Sequence, residues 1–268
     1  MRSVGWATAI AVLALSSAAT GADWRPLDPE NTLIVDTSKG RIVVEMRPDF
    51  APLAVARVKL LAREHVYDGL LFHRVIDHFV DQTGNPNNRD GGVSAHPDLA
   101  PEFTFRLDPG AQPVMRAASD ATDNFVGASP FEGEALSARR ADGTIRAWGA
   151  YCPGVAGMGR QADPGSANSE IFFIRDAARR LDRDYTVWGK VMLGLDVVRA
   201  IAVGEPPAQP DRMLKVQVMA DMPPADRPRL EVMDARSPAL KLIVDRARAA
   251  RGADFSICDV EIPVRDAR

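Results

Sequence analysis

Only two cysteines occur in 268 residues, Cys152 and Cys258, too few and too far apart for a zinc site of the usual spacing. No long basic run is present, and a formal net charge of −3 with a pI near 5.9 leaves no electrostatic footprint for nucleic acid. Beyond the first 22 residues, no apolar run approaches the length that spans a bilayer. No internal repeat is apparent. GMGRQADPG contains glycines but neither a P-loop lysine nor Rossmann spacing, so it reads as a turn. A hydrophobic content of 46% with 26% charged residues is ordinary for a soluble domain. A globular enzyme or binding domain is what remains.

What is present begins with MRSVGWATAIAVLALSSAATGA, in which Arg2 precedes an apolar run from about Trp6 to Leu15 and small residues near Ala19 and Ala22. Residues 1–22 therefore read as a secretory signal peptide, its apolar run being short for an anchor. The mature chain is expected to be soluble and exported, most naturally to a periplasm, with no stable membrane insertion after cleavage. An oxidising compartment would let Cys152 and Cys258 pair, and two buried free thiols are the alternative.

Residues 23–31 (DWRPLDPEN follows Ala22) read as a linker. LIVDTSKGRIVVEM has two β-rich runs around a Ser-Lys-Gly turn, the pattern of a hairpin. APLAVARVKLLARE carries Val55, Val58, Leu61 and Ala62 at helical spacing, with Pro52 tolerable in a first turn. Further strands are expected in LLFHRVI, HFVDQ, LAPEFTFRL, GVAGMGR, SEIFFIRD, YTVWGKV and LKVQVMA, and a second helix in LDVVRAIAVG with Gly204 as its stop. Residues 110–150 lack sustained periodicity and read as a long loop or insertion. PPADRP marks a boundary, after which residues 222–268 form an extension with a helix in SPALKLIVDRARAARG and a strand in DFSICDVEIPV. Short strands with two well-separated helices predict a mainly β fold, an antiparallel barrel closed on itself and plugged by helices at its ends.

In a strand at FHRVI, Phe72, Arg74 and Ile76 share one face and His73 and Val75 the other. A guanidinium cannot shed its charge, so Arg74 needs acceptors and some water, and Gln82 is a nearby candidate partner. A cluster of His73, Asp77, His78 and Asp81 raises the rival of a metal hydrolase, but the spacing is not that of a helical His-Glu-x-x-His site, and no metal or cofactor is expected.

FHRVIDHFVDQTG resembles the signature of the cyclophilin-type peptidyl-prolyl isomerases, and KGRIVVEM, YDGLLFHR, PGVAGMGR, SANSEIFFI and TVWGKVMLGLDVVRAI follow in that family's order over residues 32–221. The resemblance implies an eight-stranded antiparallel barrel capped by two helices, with a groove for proline-containing polypeptides and no cofactor. It makes Arg74 the catalytic arginine, and Phe79, Gln82, Phe172, Leu181 and Tyr185 the substrate-binding residues, with Phe173 as the alternative to Phe172. Glu170 stands where glutamine is usual, placing a negative charge that would pair with Arg74 or favour basic clients. Tyr185 replaces the common histidine. Arg180 replaces the common tryptophan, which implies insensitivity to cyclosporin. A monomeric isomerase for exported proteins is the expected activity, with a proline-segment-binding chaperone of weak or no turnover as the rival.

Overall fold

The computed structural model describes residues 23–85, 87, 93–110, 115–116 and 122–267, so the expected signal peptide lies outside the described residues. In chain order the elements are β1 (Trp24–Pro26), β2 (Thr32–Thr37), β3 (Gly40–Met46), α1 (Pro52–Arg63), β4 (Arg74–Ile76), β5 (Val80–Thr83) and β6 (Phe105–Leu107). There follow β7 (Met115–Arg116), β8 (Thr122–Val126), β9 (Ser129–Gly133), β10 (Ile145–Gly149), β11 (Val155–Met158), β12 (Ile171–Ile174) and β13 (Val187–Leu193). The chain ends with α2 (Leu195–Ala200), β14 (Met213–Val218), β15 (Leu230–Met233), α3 (Pro238–Arg251) and β16 (Val264–Asp266).

The runs LIV and IVV in β2 and β3 are apolar without alternation because both faces of that hairpin are covered. Leu33, Val35, Ile42 and Val44 enter the main core, whereas Ile34 and Val43 pack outward against Leu230, Val232 and Met219. The hairpin belongs to an eight-stranded antiparallel sheet in the order β14-β2-β3-β13-β11-β12-β5-β4. This sheet curls around a core that includes Trp188, Phe72 and Phe173. The expected closure is met in part. The strand ladder stays open between β4 and β14, but Gly69 N–H donates to Met213 O at 2.7 Å, Phe72 N–H to Asp211 O at 2.9 Å and Met213 N–H to Leu70 O at 2.9 Å.

α1 buries Ala54, Val55, Val58, Leu61 and Ala62, the face its spacing predicts. Its first turn is satisfied from outside: the Glu102 carboxylate accepts from the Leu53 and Ala54 N–H groups at 2.9 Å each. α2 is shorter than expected, ending at Ala200 with Ile201 already extended, so Gly204 is not its stop.

Three expectations need correction. Residues 110–150 hold strands rather than an irregular loop: β7 to β10 lie there and join β6, which falls in the expected LAPEFTFRL strand, in a second antiparallel sheet of order β6-β10-β9-β8-β7. These strands are too brief for a period to emerge in sequence, and they are held by packing of Phe125, Phe131, Ile145 and Ala147 into the core. The expected linker contains β1, which pairs with β15 in a three-stranded sheet of order β1-β15-β16. DFSICDVEIPV is mostly turn. Ser256 Oγ accepts from Cys258 N–H at 3.2 Å and Asp259 Oδ2 from Ser256 N–H at 2.8 Å, a local closure that competes with extension, so the strand begins only at Val264.

Cys152 and Cys258 form a disulfide with an S–S distance of 2.05 Å and a Cα separation of 4.9 Å. It staples the C-terminal segment to the curled-sheet body beside a cavity of about 660 Å³ whose wall includes Lys190. Burial pushes the Lys190 amine down to about 8.

Candidate active site

Arg74 lies opposite Gln82 across β4 and β5, Gln82 lies opposite Phe172 across β5 and β12, and Phe172 lies opposite Gly157 across β12 and β11. Directly opposed residues project from the same face of a sheet. Arg74, Gln82, Phe172 and Gly157 therefore make one row across four adjacent strands. Glycine is needed at its end, because a Cβ on Gly157 would lie 2.3 Å from Phe172 Cζ and 2.7 Å from the Tyr151 hydroxyl.

The polar half of the row is a connected set of hydrogen bonds. Arg74 Nη1 donates to Gln82 Oε1, and Gln82 Nε2 donates to Glu170 Oε1 at 2.7 Å. Glu170 Oε2 lies 3.3 Å from His73 Nε2. Gln82 is thus oriented by both ends of its amide, oxygen toward the cation and nitrogen toward the anion. Arg74 Nε donates to Glu205 Oε2 at 2.8 Å, and the Arg74 side chain is 29% exposed, so it has the acceptors and the water that its charge requires. Its Nη2 has no partner among the described residues.

Two expectations about charge change here. Glu170 does not pair directly with Arg74: it is 6% exposed, its Oε1 accepts from Gln82 and its Oε2 lies 3.3 Å from His73 Nε2. The carboxylate that meets Arg74 is Glu205, which the sequence reading missed. Gly204 and Val75 exchange backbone hydrogen bonds of 2.8 Å in both directions, which sets Glu205 beside Arg74. Gly204 has φ +155°, and a Cβ there would lie 2.4 Å from Pro207 Cα, so this close approach also requires glycine. No signal in sequence links positions 131 residues apart.

The apolar half surrounds Phe172. Tyr185 meets its ring edge-on at 5.9 Å and Tyr151 stacks on it at 5.9 Å. Phe79, Leu181 and Tyr185 are half-buried and pack against the core that contains Phe172. Phe173, the alternative to Phe172, lies opposite Asp81 and turns inward to Trp188 at 6.3 Å. Arg180 holds its guanidinium 4.0 Å from the Phe79 ring centroid, and Arg160 holds its own 4.4 Å from that of Tyr185.

Asp81, on the reverse face of β5 from Gln82, is fully buried against Arg175 at 2.9 Å, and burial pushes its carboxyl up to about 7. His78 is exposed and its pKa is raised by the hydrogen bond to Asp176 at 2.8 Å. His73 and His78 do not converge on one site, and among the described residues no group of three or more His, Cys, Asp or Glu could hold a metal. No helix among the described residues is long and apolar enough to cross a membrane.

A family model described as cyclophilin type peptidyl-prolyl cis-trans isomerase/CLD matches residues 32–218. The chain belongs to the cyclophilin family. It is similar to a probable peptidyl-prolyl cis-trans isomerase of Brucella suis biovar 1 (strain 1330), 33% identical over 210 residues that cover 72% of this chain and 85% of the relative. A Brucella abortus (strain 2308) protein of the same description has the same identity and coverage. The crystal structure of cyclophilin AquaCyp293 from Hirschia baltica matches with a TM-score of 0.83 at 32% identity, covering 91% of this chain and 94% of that one. The family model stops at residue 218, whereas the structural match extends into the terminal elements. This cyclophilin is a peptidyl-prolyl cis-trans isomerase with a mainly β, curled eight-stranded sheet. In this cyclophilin the row from Arg74 to Phe172 is where a cationic donor and an apolar surface stand on one face.

Proposed function

We propose that the chain accelerates rotation of X-Pro bonds in exported polypeptides, with Arg74 as the catalytic donor. Peptide rotation faces a barrier of ~18–20 kcal/mol because resonance stiffens the C–N bond. No covalent bond has to break. In the twisted amide the prolyl nitrogen regains a lone pair and becomes an acceptor, so a guanidinium donor aimed at it binds the transition state better than the planar ground state. The observation that carries this reading is the row itself: Glu205 occupies Nε and Gln82 occupies Nη1, leaving Nη2 for the substrate beside Phe172. Phe79, Phe172, Leu181 and Tyr185 hold the proline ring while the preceding carbonyl swings. A ten-thousandfold acceleration needs ~5.5 kcal/mol. One charge-assisted hydrogen bond supplies ~1.5–3 kcal/mol, so positioning and exclusion of water contribute the rest.

The curled sheet acts as a closed barrel, supported by the backbone bonds between residues 69–72 and 211–213. Residues 1–22 are removed on export to the periplasm, supported by their composition and by the Cys152–Cys258 disulfide, which suits an oxidising compartment. The mature protein is a monomer that assists folding of its clients. Its groove takes proline-containing segments. The rival, a binder with little turnover, draws on Arg180, which covers part of Phe79.

The test is isomerisation of an Ala-Pro peptide by the mature protein and by Arg74→Ala. The variant is expected to lose about 10- to 100-fold in kcat/KM with an unchanged thermal midpoint. Equal turnover removes Arg74 from the mechanism, and no turnover by the parent with retained peptide binding favours the binder.

A further inference from the structure

The charges around the groove are not equally committed. Carboxylates beside it are engaged, Glu170 by Gln82, Glu205 by Arg74 and Asp184 by Arg160. Of the cations, Arg74 is held by Gln82 and Glu205. Arg160, over Tyr185, gives its donors to Asp184 and to the Gln161 carbonyl, including a 2.9 Å ion pair with Asp184 Oδ1. Arg180 is different. It is exposed, its guanidinium lies on Phe79 at 4.0 Å, and no carboxylate among the described residues comes within ion-pair distance of it.

A guanidinium stacked on an aromatic ring has its face satisfied, while its N–H donors point outward in the plane of the fork. That arrangement suits bidentate capture of a carboxylate, and stacking reduces the freedom the side chain must give up when it binds. Phe79 is one wall of the surface assigned above to the proline ring. A donor lying on that wall is therefore within reach of side chains adjoining the proline.

Resting on the isomerase reading of the same groove, we infer that Arg180 is a specificity-determining residue that selects X-Pro segments carrying an aspartate or glutamate within two residues of the proline. The substrate class is acidic, the opposite of the basic class that the sequence alone suggested from Glu170. The connection that carries Arg180 also carries Leu181 and Tyr185, so recognition of the flanking charge and of the proline ring is built on one short segment.

The experiment compares three peptides that differ only in the residue after an Ala-Pro bond, Glu, Gln or Lys, by exchange NMR for isomerisation and by titration for affinity. For the parent, kcat/KM for the Glu peptide is expected to exceed that for the Lys peptide about fivefold at low salt. The ratio should fall toward one in 0.5 M salt. Arg180→Gln should bring it near one at low salt, Arg180→Lys should retain part of it, and Arg180→Glu should reverse it. Each ratio is taken within one protein, so a general loss of activity in a variant cancels. A parent ratio near one, or an undiminished ratio in Arg180→Gln, overturns the inference. A parent that turns over none of the peptides overturns the isomerase reading instead, and the Glu-to-Lys affinity ratio then still decides the role of Arg180.

Discussion

The groove and the terminal flank lie on the same curled sheet and are held together by different physics. The groove face is a row of side chains joined by charge-assisted hydrogen bonds, with Arg74, Glu205 and Arg180 reaching water. The flank is dry. There Ile34 and Val43 of the curled sheet meet Leu230 and Val232 of the appended sheet, with Met219 and Met222 beside them, and a disulfide of sequence separation 106 closes a long loop nearby. The difference teaches that this molecule keeps its proposed chemistry and much of its apolar packing in separate residues. A perturbation of one region should leave the other readable.

The largest effect expected on that division is at the staple. Cys258→Ser should cost about 2–4 kcal/mol of stability, because it restores freedom to the unfolded chain over a long loop. Turnover at 25 °C should stay within about twofold, since most chains remain folded; the link from the staple to the row runs through Tyr151, which precedes Cys152 and stacks on Phe172. A parallel collapse of turnover would merge the two regions.

A smaller effect on stability, but a sharper one on function, is expected where the row meets the core. Gly157→Ala drives a methyl into the space of Phe172 and Tyr151, an overpacking cost of about 1–3 kcal/mol. Phe172 must move, so kcat/KM should fall well beyond what the change in folded population explains. Calorimetry beside the peptide assay separates the two, and proportional losses would deny Phe172 its place in the groove.

The smallest effect concerns Asp81, which shares β5 with Gln82 but faces the other way. Its carboxyl is raised from 3.8 to about 7 in the folded protein by burial. Between those values the folded state keeps the proton and the unfolded state has lost it, so this group's contribution to stability falls as pH rises from about 4 to about 7. Asp81→Asn should flatten that fall across the window. Denaturant titrations at pH 4, 5.5 and 7 would reveal it. An identical slope in the variant would mean that Arg175 keeps Asp81 ionised throughout.

Local residues made much of the proposed groove legible. Arg74, Phe79 and Gln82 fall within one short stretch, and strand alternation puts Glu170 and Phe172 on one face. The hairpin of β2 and β3 and the helices α1 and α3 announced themselves through β-rich runs and 3.6-residue spacing. What escaped was pairing at a distance. β1 finds its partner in β15, and Arg74 finds Glu205 through the Gly204–Val75 bridge. Strands of two to five residues in the second sheet carry too few positions to show alternation.

By itself, the order of residues determined which segments could extend, coil or turn, and which side chains bring a permanent charge or a flat ring, because those properties depend on a few neighbouring bonds. Only the tertiary structure decided which carboxylates were already engaged and which guanidinium stayed open to solvent. Charge commitment depends on distances across strands and on access to water, and neither is a property of neighbours in the chain.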